Sequence, residues 1–390
     1  MLKILNSNEL QNKVCLVIGT RPGIVMFSPI IRALKKIKFN FFIIHAGQHY
    51  SYNMDKKFFE DLELPEPEYK LDEVKNCKFH GEQTARMLEG IEKILLKEKP
   101  KIVLVGGDAN CNLAGALAAR KLHIKVGHVE AGERSYDWRM PEEHNRRMID
   151  HISEYLFVTN EKRKQNLLKE SVLGKIFITG NPIVDAAYQN REIAKEKSDI
   201  LKQWNLKEKD YFILTTHREE NVDSKENLKN IILGMKNVCE KFRKKVIFLA
   251  HPRTQKRIEQ FALTNLVNSI HNFIVKDAVG YLDFINLLSH ALLVFTDSGG
   301  VQQEACIFKI PCVTLRKNTE WVETIKLGVN ILAGTDPNKI VNCAQRMLSF
   351  KGNWEEPFGD GKAVERIVDI INKEVIKKDG FNNKSHRNNR

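Results

Sequence analysis

Short apolar runs alternate with longer amphipathic stretches along almost the entire chain. In the first half the apolar runs are continuous rather than alternating, which is typical of strands covered on both faces of a parallel sheet. The predicted strands of this half are residues 14–18, 39–44, 102–105, 125–129, 155–158 and 176–179. Between them the clearest helix is predicted at 82–97, where Met87, Ile91 and Leu95 recur at helical spacing.

The same pattern restarts after the turn at 180–182. Strands are predicted at 211–214, 246–249, 273–275, 292–295 and 312–315, and helices at 225–241, 281–289 and 301–308. Two consecutive βα series predict an α/β fold of two doubly wound parallel-sheet (Rossmann-like) domains that face a cleft.

The turn at 180–182 also sets the predicted domain boundary. We expect an N-terminal domain at 1–182 and a C-terminal domain at 183–372, whose last helix returns to the first domain. A polar helix at 191–204 should lead into the second domain. Residues 373–390 are rich in Lys, Asn and Arg and have little to bury, so we expect a disordered basic tail.

The composition supports this reading. The chain has 390 residues, enough for two cores, with 42% hydrophobic and 28% charged residues. No apolar run reaches the roughly 18 to 20 residues that a membrane helix needs. The polar opening lacks an apolar signal core, and the seven cysteines are scattered without a Cys-x-x-Cys pair. We therefore expect a cytoplasmic protein with reduced thiols and no membrane partner.

The formal charge of +13 raises the question of nucleic-acid binding. The lysines are spread over helical stretches such as 35–38 and 93–101, without interleaved exposed aromatic residues. This favours a solvated lysine-rich surface, or attraction of a small polyanionic substrate, over a nucleic-acid module.

Candidate chemical groups cluster just after the predicted strands. Ligands of doubly wound sheets bind beyond the carboxyl ends of the strands, so side chains at these tips should line one cleft. The tip residues are Arg21, Asp108 and Glu130 in the first domain and His217, His251 and Ser298 in the second.

The turn formed by Ser298, Gly299 and Gly300 opens a predicted helix. Glycines admit a ligand close to the backbone, and the free N–H groups of a first helical turn attract anions. An ordinary turn explains the same residues. Glu304, one helical turn further on, either accepts two ribose hydroxyls or is a solvated helix residue.

The segment 130–150 is dense in acidic and basic residues. Pro141 followed by Glu142 and Glu143 is typical of a helix start, but this does not explain Glu130 at a strand end. The segment has no metal-ligand spacing of the His-Glu-x-x-His kind, so we expect no metal site.

Three histidines of the first half receive separate predictions. His128 should be a buried strand residue. His45 and His49 either line the cleft rim, make a regulatory contact or lie in a polar loop.

Many short motifs of this chain occur in the same order in a known protein family. The chain resembles the non-hydrolysing UDP-N-acetylglucosamine 2-epimerase family over nearly its whole length. The matching segments are GTRP (19–22), GQHYSYNMD (47–55), GD (107–108), GALAA (115–119), GHVEAG (127–132), RMPEEHNR (139–146), DHIS (150–153), GNPIVDA (180–186), THREENVD (216–223), HPRT (251–254), GYLDF (280–284) and DSGGVQQEAC (297–306).

The resemblance implies a GT-B-like homodimer that converts UDP-N-acetylglucosamine (UDP-GlcNAc) to UDP-N-acetylmannosamine (UDP-ManNAc) without a cofactor, for surface polysaccharide or glycan precursor synthesis. UDP leaves carbon 1 as a proton leaves carbon 2, and the resulting glycal is re-protonated on its other face. The catalytic positions it implies are Asp108, Glu130, Glu142 and His217. The substrate positions are Arg21, Phe284 near the uracil, Ser298, Gly299 and Gly300 on the diphosphate, Glu304 on the ribose, Arg316 and His251.

Several positions depart from the family pattern. Gly23 stands where a glutamate is usual, Met26 replaces a lysine, and Trp321 replaces the arginine of a Glu-Arg-Pro motif. Ala109 and Cys111 stand where hydroxyl residues are frequent. These differences favour a divergent member with a different UDP-N-acetylhexosamine substrate or altered affinity. The alternatives are a hydrolysing 2-epimerase, a GT-B glycosyltransferase and a non-catalytic UDP-sugar sensor.

Overall fold

A computed structural model describes residues 12–47, 52–350 and 352–377, without the side chains of 52–55. The chain divides into two compact units, residues 1–188 with 358–390 (unit 1) and residues 189–357 (unit 2). His49 and residues 378–390 of the predicted tail lie outside the described residues.

Unit 1 contains a sheet of seven strands in the order β3-β2-β1-β4-β5-β6-β7, and each neighbouring pair is parallel. The strands are β1 (Val14–Ile18), β2 (Phe41–His45), β3 (Tyr69–Lys70), β4 (Ile102–Gly106), β5 (Lys125–Ala131), β6 (Tyr155–Val158) and β7 (Lys175–Ile178). The six strands predicted for this half are confirmed within two residues at each end. The two-residue edge strand β3 was not predicted.

The helices of unit 1 cover this sheet. They are α1 (Arg21–Lys36), α2 (Tyr52–Asp61), α3 (His80–Glu98), α4 (Asn110–Lys121), α5 (Pro141–Ile152) and α6 (Glu161–Lys169), with a 3-10 turn at Asp72–Asn76. The next helix, α7 (Pro182–Lys197), begins in unit 1 and ends in unit 2. The predicted apolar stripe of α3 is confirmed, because Met87, Ile91 and Leu95 are fully buried in the unit 1 core.

The start of α7 corrects one prediction. The sequence predicted a helix at 191–204, but α7 begins at Pro182 and ends at Lys197. Proline is favoured at a helix start because its missing N–H has no intrahelical acceptor there. The Asn181 side-chain oxygen accepts from the Ile183 nitrogen at 3.0 Å, which satisfies one further free donor.

Unit 2 repeats the architecture with six parallel strands in the order β10-β9-β8-β11-β12-β13. These are β8 (Tyr211–Thr215), β9 (Lys245–Ala250), β10 (Phe273–Asp277), β11 (Leu293–Thr296), β12 (Cys312–Thr314) and β13 (Asn330–Leu332). The five predicted strands are confirmed within two residues at each end, and β13 is again an unpredicted edge strand.

The helices of unit 2 include the short helix that follows α7. They are α8 (Ile200–Gln203), α9 (Glu219–Val222), α10 (Lys225–Phe242), α11 (Pro252–Gln260), α12 (Thr264–Asn268), α13 (Tyr281–His290), α14 (Gly299–Ile307), α15 (Val322–Lys326) and α16 (Pro337–Ser349). The helix predicted at 301–308 therefore begins two residues earlier, directly after Ser298.

The chain then returns to unit 1 through α17 (Ala363–Ile370) and a π-helix at Ile371–Lys377. Asp185 of α7 caps α17, since its carboxylate accepts from the Ala363 and Val364 nitrogens at 3.2 Å each. Ile371 and Val375 are buried. Residues 373–377 are thus helical rather than part of the predicted tail. Among the helices of the described residues, none is long and apolar enough to cross a membrane.

Candidate active site

Each sheet has one point where the strand order reverses, and ligands of doubly wound folds bind beyond the strands there. In unit 1 this point lies between β1 and β4. Arg21 and Asp108 follow these two strands. In unit 2 it lies between β8 and β11, which are followed by His217 and Ser298. The topology therefore places predicted site residues at both reversal points.

Asp108 is held in place by α5. Its carboxylate forms an ion pair with the Arg146 guanidinium, and its backbone oxygen accepts from the Asn145 amide at 2.9 Å. The Asp108 side chain remains 39% exposed, whereas that of Arg146 is 12% exposed. The carboxylate is thus oriented by a largely buried arginine and still accessible to a ligand.

Glu130 occupies a strained position in β5. The pairing of β5 with β6 shifts between Val129 and Ala131, and Glu130 has a left-handed φ of 67°. Left-handed backbone is uncommon outside glycine and often marks functional sites. The bulge turns the Glu130 carboxylate toward the Asp108 turn, because Oε2 lies 3.7 Å from where a Cβ on Gly107 would stand.

The surroundings of Glu130 change its acidity. Burial raises the pKa of Glu130 to about 7, and the nearby charges of Glu133 and Asp108 act in the same direction. A hydrogen bond from the Asn181 amide to Oε1 at 2.9 Å opposes this shift. A carboxyl that titrates near neutrality is well matched to proton transfer in either direction.

The adjacent Glu142 and Glu143 have different environments. Glu143 is fully buried, and its carboxylate accepts from Ser135, Arg146 and Arg147 at 2.7–3.1 Å. Although burial alone raises the pKa of Glu143, these hydrogen bonds hold it below the usual value. Glu143 therefore orders the loop and the arginines. Glu142 lies partly exposed in the first turn of α5, one turn before Arg146.

In unit 2 a buried carboxylate organises the turn that carries His217. Asp297 accepts from the Thr216 hydroxyl at 2.6 Å and from the Arg218 nitrogen at 3.1 Å. It also accepts from the His217 nitrogen and the Asn221 amide. Desolvation lowers the pKa of His217, against the opposing charge of Asp297 at 3.5 Å from Nδ1. His251 lies nearby, with its ring centroid 6.4 Å from that of His217.

The Ser298 turn starts α14. In the described part of the chain, the Ser298 hydroxyl accepts no capping hydrogen bond from the helix. The Gly299 oxygen accepts from the Trp321 indole at 2.7 Å, which fixes the turn. A Cβ on Gly300 would have Ser298 Oγ, 4.0 Å away, as its nearest neighbour, so this side of the turn is open.

Glu304 is buried inside α14, so the solvated-helix alternative for this residue is wrong. The Tyr281 hydroxyl of α13 donates to Glu304 Oε1 at 3.0 Å. Burial raises the pKa of Glu304 to about 7, and the hydrogen bond from Tyr281 opposes this. Phe284 lies partly exposed one turn after Tyr281 on the same helix.

The two predicted substrate arginines already have contacts. The Arg21 guanidinium lies 5.7 Å from the centre of the Phe58 ring. The Arg316 Nη1 atom donates to both carboxylate oxygens of Glu320 at 2.9–3.0 Å, and this pairing offsets the positive charge predicted for Arg316.

The departures from the family pattern are visible near the tips. Met26 is buried, and its sulfur would lie 3.0 Å from a Cβ on Gly106. Gly23 donates its N–H to the Thr20 hydroxyl in the first turn of α1. Met26 therefore contributes an apolar contact at its position, and the Trp321 indole donates to the Gly299 oxygen.

Sequence reasoning missed several ordering residues and misjudged one histidine. Asp297, Arg146 and Asn181 lie in segments that the sequence marks, but no role was predicted for them, because their roles depend on contacts distant in sequence. His45 is the last residue of β2 and is 3% exposed, so it lies in neither a rim nor a polar loop. His128 is fully buried in β5, as predicted.

The described residues contain no cluster of three or more His, Cys, Asp or Glu side chains placed to hold a metal ion. In the acidic segment, Glu143 is bound by arginines and Asp150 by Arg134 and His128.

Comparison with known proteins gives consistent matches. The family model described as UDP-N-acetylglucosamine 2-epimerase matches residues 32–372. The UDP-N-acetylglucosamine 2-epimerase of Methanocaldococcus jannaschii is 52% identical over 362 residues, covering 92% of this chain and 98% of the relative. A crystal structure of that organism's enzyme in complex with UDP-GlcNAc and UDP superposes with a TM-score of 0.80 at 52% identity, covering 92% and 99% of the two chains. The UDP-2,3-diacetamido-2,3-dideoxy-D-glucuronate 2-epimerase of Pseudomonas aeruginosa is 40% identical over 367 residues, covering 93% and 99%.

Proposed function

Because this chain belongs to the UDP-N-acetylglucosamine 2-epimerase family, we propose that it interconverts UDP-GlcNAc and UDP-ManNAc. The family model matches most of this chain, and this chain covers almost the whole length of its relatives. The single observation that best supports the chemistry is Glu130, a carboxyl with a pKa of about 7 next to the Asp108 turn.

The proposed reaction inverts carbon 2 without a redox step. A base removes the proton from carbon 2, and the C–H electron pair forms a double bond to carbon 1. The bond from carbon 1 to the UDP oxygen breaks, and UDP leaves with its electron pair. In the return step an acid delivers a proton to the other face of carbon 2, while the UDP oxygen re-forms its bond to carbon 1.

Unit 1 supplies the proton chemistry in this proposal. Asp108 and Glu130 approach one another across Gly107, but their surroundings differ. Asp108 is paired with Arg146 and partly exposed, whereas Glu130 accepts from the neutral Asn181 amide and has its pKa raised mainly by burial. Two carboxyls with different environments can exchange protons with one ring in opposite directions. Glu142, in the first turn of α5, is the third candidate on this unit.

Unit 2 binds the UDP moiety in this proposal. The open turn at Ser298, Gly299 and Gly300 offers the free N–H groups of the start of α14 to the diphosphate. Glu304 would accept from the ribose hydroxyls, and Phe284 would contact the uracil. His217, held by Asp297 and largely neutral because of its lowered pKa, would assist the departure of UDP.

A second substrate is favoured by one observation. Gly23 and Met26, in the first two turns of the helix that begins at Arg21, stand where the family pattern has charged side chains. The 40% identical relative from Pseudomonas aeruginosa is named for a diacetamido uronate sugar. A UDP-N-acetylhexosamine other than UDP-GlcNAc is therefore the second candidate for this chain.

Assembly and location complete the proposal. We propose a homodimer in the cytoplasm, supported by the family resemblance. Light scattering on the purified protein tests the dimer, and a mass of one chain would contradict it.

The experiment that tests the function follows the proton on carbon 2. UDP-GlcNAc is incubated with the protein in deuterium oxide and observed by proton NMR. Epimerisation predicts loss of the carbon 2 proton signal and appearance of UDP-ManNAc. Free ManNAc with UDP would indicate hydrolysis instead. Absence of exchange with UDP-GlcNAc, and with the diacetamido uronate derivative, would refute the epimerase proposal.

A further inference from the structure

Two buried groups beneath the Asp108 turn have no role in the proposed reaction. His128 lies in β5 and Asp150 lies near the end of α5, and their side chains are 1% and 0% exposed. Burial of such a pair is unfavourable unless hydrogen bonds compensate for the lost water. The contacts of both groups should therefore reveal what the pair does.

His128 connects Asp150 to the backbone of the Asp108 turn. Its Nδ1 atom lies 2.7 Å from Asp150 Oδ1, and its Nε2 atom lies 3.0 Å from the Gly107 oxygen. A backbone carbonyl can only accept a hydrogen bond. The Nε2 atom must therefore carry a proton to make this contact.

The contacts of the other Asp150 oxygen, Oδ2, determine whether the Nδ1 atom of His128 is also protonated. Asp150 Oδ2 accepts from the Gly132 nitrogen at 3.2 Å and from Arg134 at 2.7 Å. A guanidinium at this distance stabilises the ionised carboxylate, which can only accept. The Nδ1 atom of His128 must then donate as well. A ring that donates from both nitrogens is the imidazolium cation.

Charges of alternating sign surround this cation. His128 faces Asp150, Asp150 faces Arg134, and Arg134 binds Glu170 at 2.7 and 2.9 Å. Glu170 in turn accepts from Arg147 at 2.6 Å and lies 3.7 Å from His151. Each buried charge in this row has a partner of opposite sign, so a cationic His128 is compensated.

The atom that His128 contacts belongs to the turn between β4 and Asp108. Gly107 has a left-handed φ of 78° between the end of β4 and Asp108. Its nitrogen donates to the Val129 oxygen at 3.1 Å, and its oxygen accepts from His128. A bond from a charged donor is about twice as strong as a neutral one. His128 thus fixes the peptide that joins Gly107 to Asp108.

We propose that His128, held by Asp150 as an imidazolium, is a positioning residue that fixes the orientation of Asp108 through the Gly107 carbonyl. This inference rests on the proposed acid/base role of Asp108. In this proposal His128 neither contacts the substrate nor transfers a proton during the reaction. Its contribution is to keep the Asp108 carboxylate at one angle during both proton transfers.

A first test reads the ring directly and needs no activity. The protein is labelled with 15N-histidine, and the His128 signals are identified by their loss in the His128→Gln variant. At pH 7.5 both ring nitrogens should show the shifts and attached protons of imidazolium. A His128 ring with one unprotonated nitrogen would overturn the proposal, because the bond to Gly107 would then be absent.

A pair of variants separates positioning from simple filling of the core. A glutamine amide can reach the place of Nε2 and donate to the Gly107 oxygen, whereas an asparagine amide reaches only the place of Nδ1 and Asp150. We expect His128→Asn to lower kcat at least about tenfold, because a tenfold change in rate corresponds to the free energy of about one hydrogen bond. The kcat of His128→Gln should stay within about threefold of the wild type. UDP affinity should change less than about twofold in both.

A control variant and the exchange assay distinguish failure of the positioning proposal for His128 from failure of the epimerase proposal. His123→Asn, at an exposed histidine just after α4, should leave kcat and UDP affinity unchanged. If His128→Asn retains more activity than His128→Gln, the pair serves only to satisfy Asp150 and the positioning proposal is wrong. If the wild-type protein shows no exchange at carbon 2, the epimerase proposal fails, yet the imidazolium signature still decides the protonation of His128.

Discussion

Both carboxylate oxygens of Asp297 lie 3.1 Å from the backbone nitrogen of His217. Asp297 directly follows β11 and His217 comes two residues after β8, so this contact joins the two strands at the reversal point of the unit 2 sheet. The Asp297 side chain is completely buried. Its contacts give unit 2 a rigid turn at the position of the proposed catalytic histidine.

Replacement of this carboxylate should damage both stability and activity. In Asp297→Asn an amide NH₂ replaces one of the two carboxylate oxygens, and in either orientation it faces the His217 N–H, which donates to both oxygens in the wild type. A buried donor without an acceptor costs about 1–3 kcal/mol, so the free energy of unfolding should fall by about 2 kcal/mol or more. Urea unfolding and kcat measure the two effects.

The matched control for this variant is Asp336→Asn at the N-cap of α16, where the Asp336 side chain accepts from the Lys339 nitrogen. Asparagine caps helices as well as aspartate does, so the unfolding free energy should change by less than about 0.5 kcal/mol. Equal losses in the two variants would show that the Asp297 contacts contribute nothing beyond an ordinary cap.

Loss of the Glu130 carboxyl should abolish proton exchange but not UDP binding. Glu130→Gln keeps an oxygen that can accept from the Asn181 amide, so the local fold should survive. Removal of a general acid or base typically lowers the rate about 10²–10⁴-fold. NMR in deuterium oxide measures exchange, and calorimetry with UDP measures binding. A variant with normal exchange would remove Glu130 from the mechanism.

Glu133 offers a test of why the pKa of Glu130 is raised. The Glu133 charge is the second contribution, after burial, to that increase, and Glu133 itself is paired with Arg163 at 2.8 Å. In Glu133→Gln the pKa of Glu130 should fall. The limb of the pH–rate profile near pH 7 should then move to lower pH, whether Glu130 acts as acid or base, while the maximal rate stays within about twofold. An unmoved limb would mean that another group controls it.

The pKa of Glu304 predicts a stability gain that depends on pH. Burial raises the pKa of Glu304 from its ordinary value of 4.5 to about 7. The free energy of unfolding is therefore highest below pH 4.5, where the carboxyl is neutral in both states, and falls as the pH rises from 4.5 through 7. Glu304→Gln removes the buried charge. The variant should therefore be more stable than the wild type by about 3 kcal/mol at pH 8 and about equal to it at pH 4.5.

UDP affinity should change in the opposite direction in the same variant. If Glu304 accepts from ribose hydroxyls, Glu304→Gln weakens UDP binding at pH 8, where the wild-type carboxylate is charged. Thermal unfolding with and without UDP measures both effects in one titration. A stabilised variant with unchanged UDP affinity would leave Glu304 as a core residue.

The strands and the site differ in how far the sequence could predict them. Continuous apolar runs such as β1 and β8 identify buried central strands, because both faces of a parallel sheet are covered. The edge strands β3 and β13 have two and three residues and lack such a run. Similarly, Glu130 was predicted as a site residue from its place after a strand. Its left-handed bulge and raised pKa depend on contacts with Asn181 and the Gly107 turn, which no local pattern encodes.

Gly299 occupies the first position of α14, where a ligand would approach the free N–H groups. A Cβ there would stand 3.4 Å from Glu320 and 3.5 Å from the Trp321 indole, which are ordinary contact distances. Gly299→Ala should therefore fold, with a free energy of unfolding up to about 1 kcal/mol higher because alanine favours the helix. The added methyl group would nevertheless hinder a diphosphate from reaching the N–H groups, so UDP affinity should fall at least about tenfold. The matched control is Gly81→Ala in the first turn of α3, where the described structure has nothing within 4 Å of the new Cβ. That variant should gain similar stability and keep its UDP affinity. Unchanged UDP binding in Gly299→Ala would place the diphosphate away from this turn.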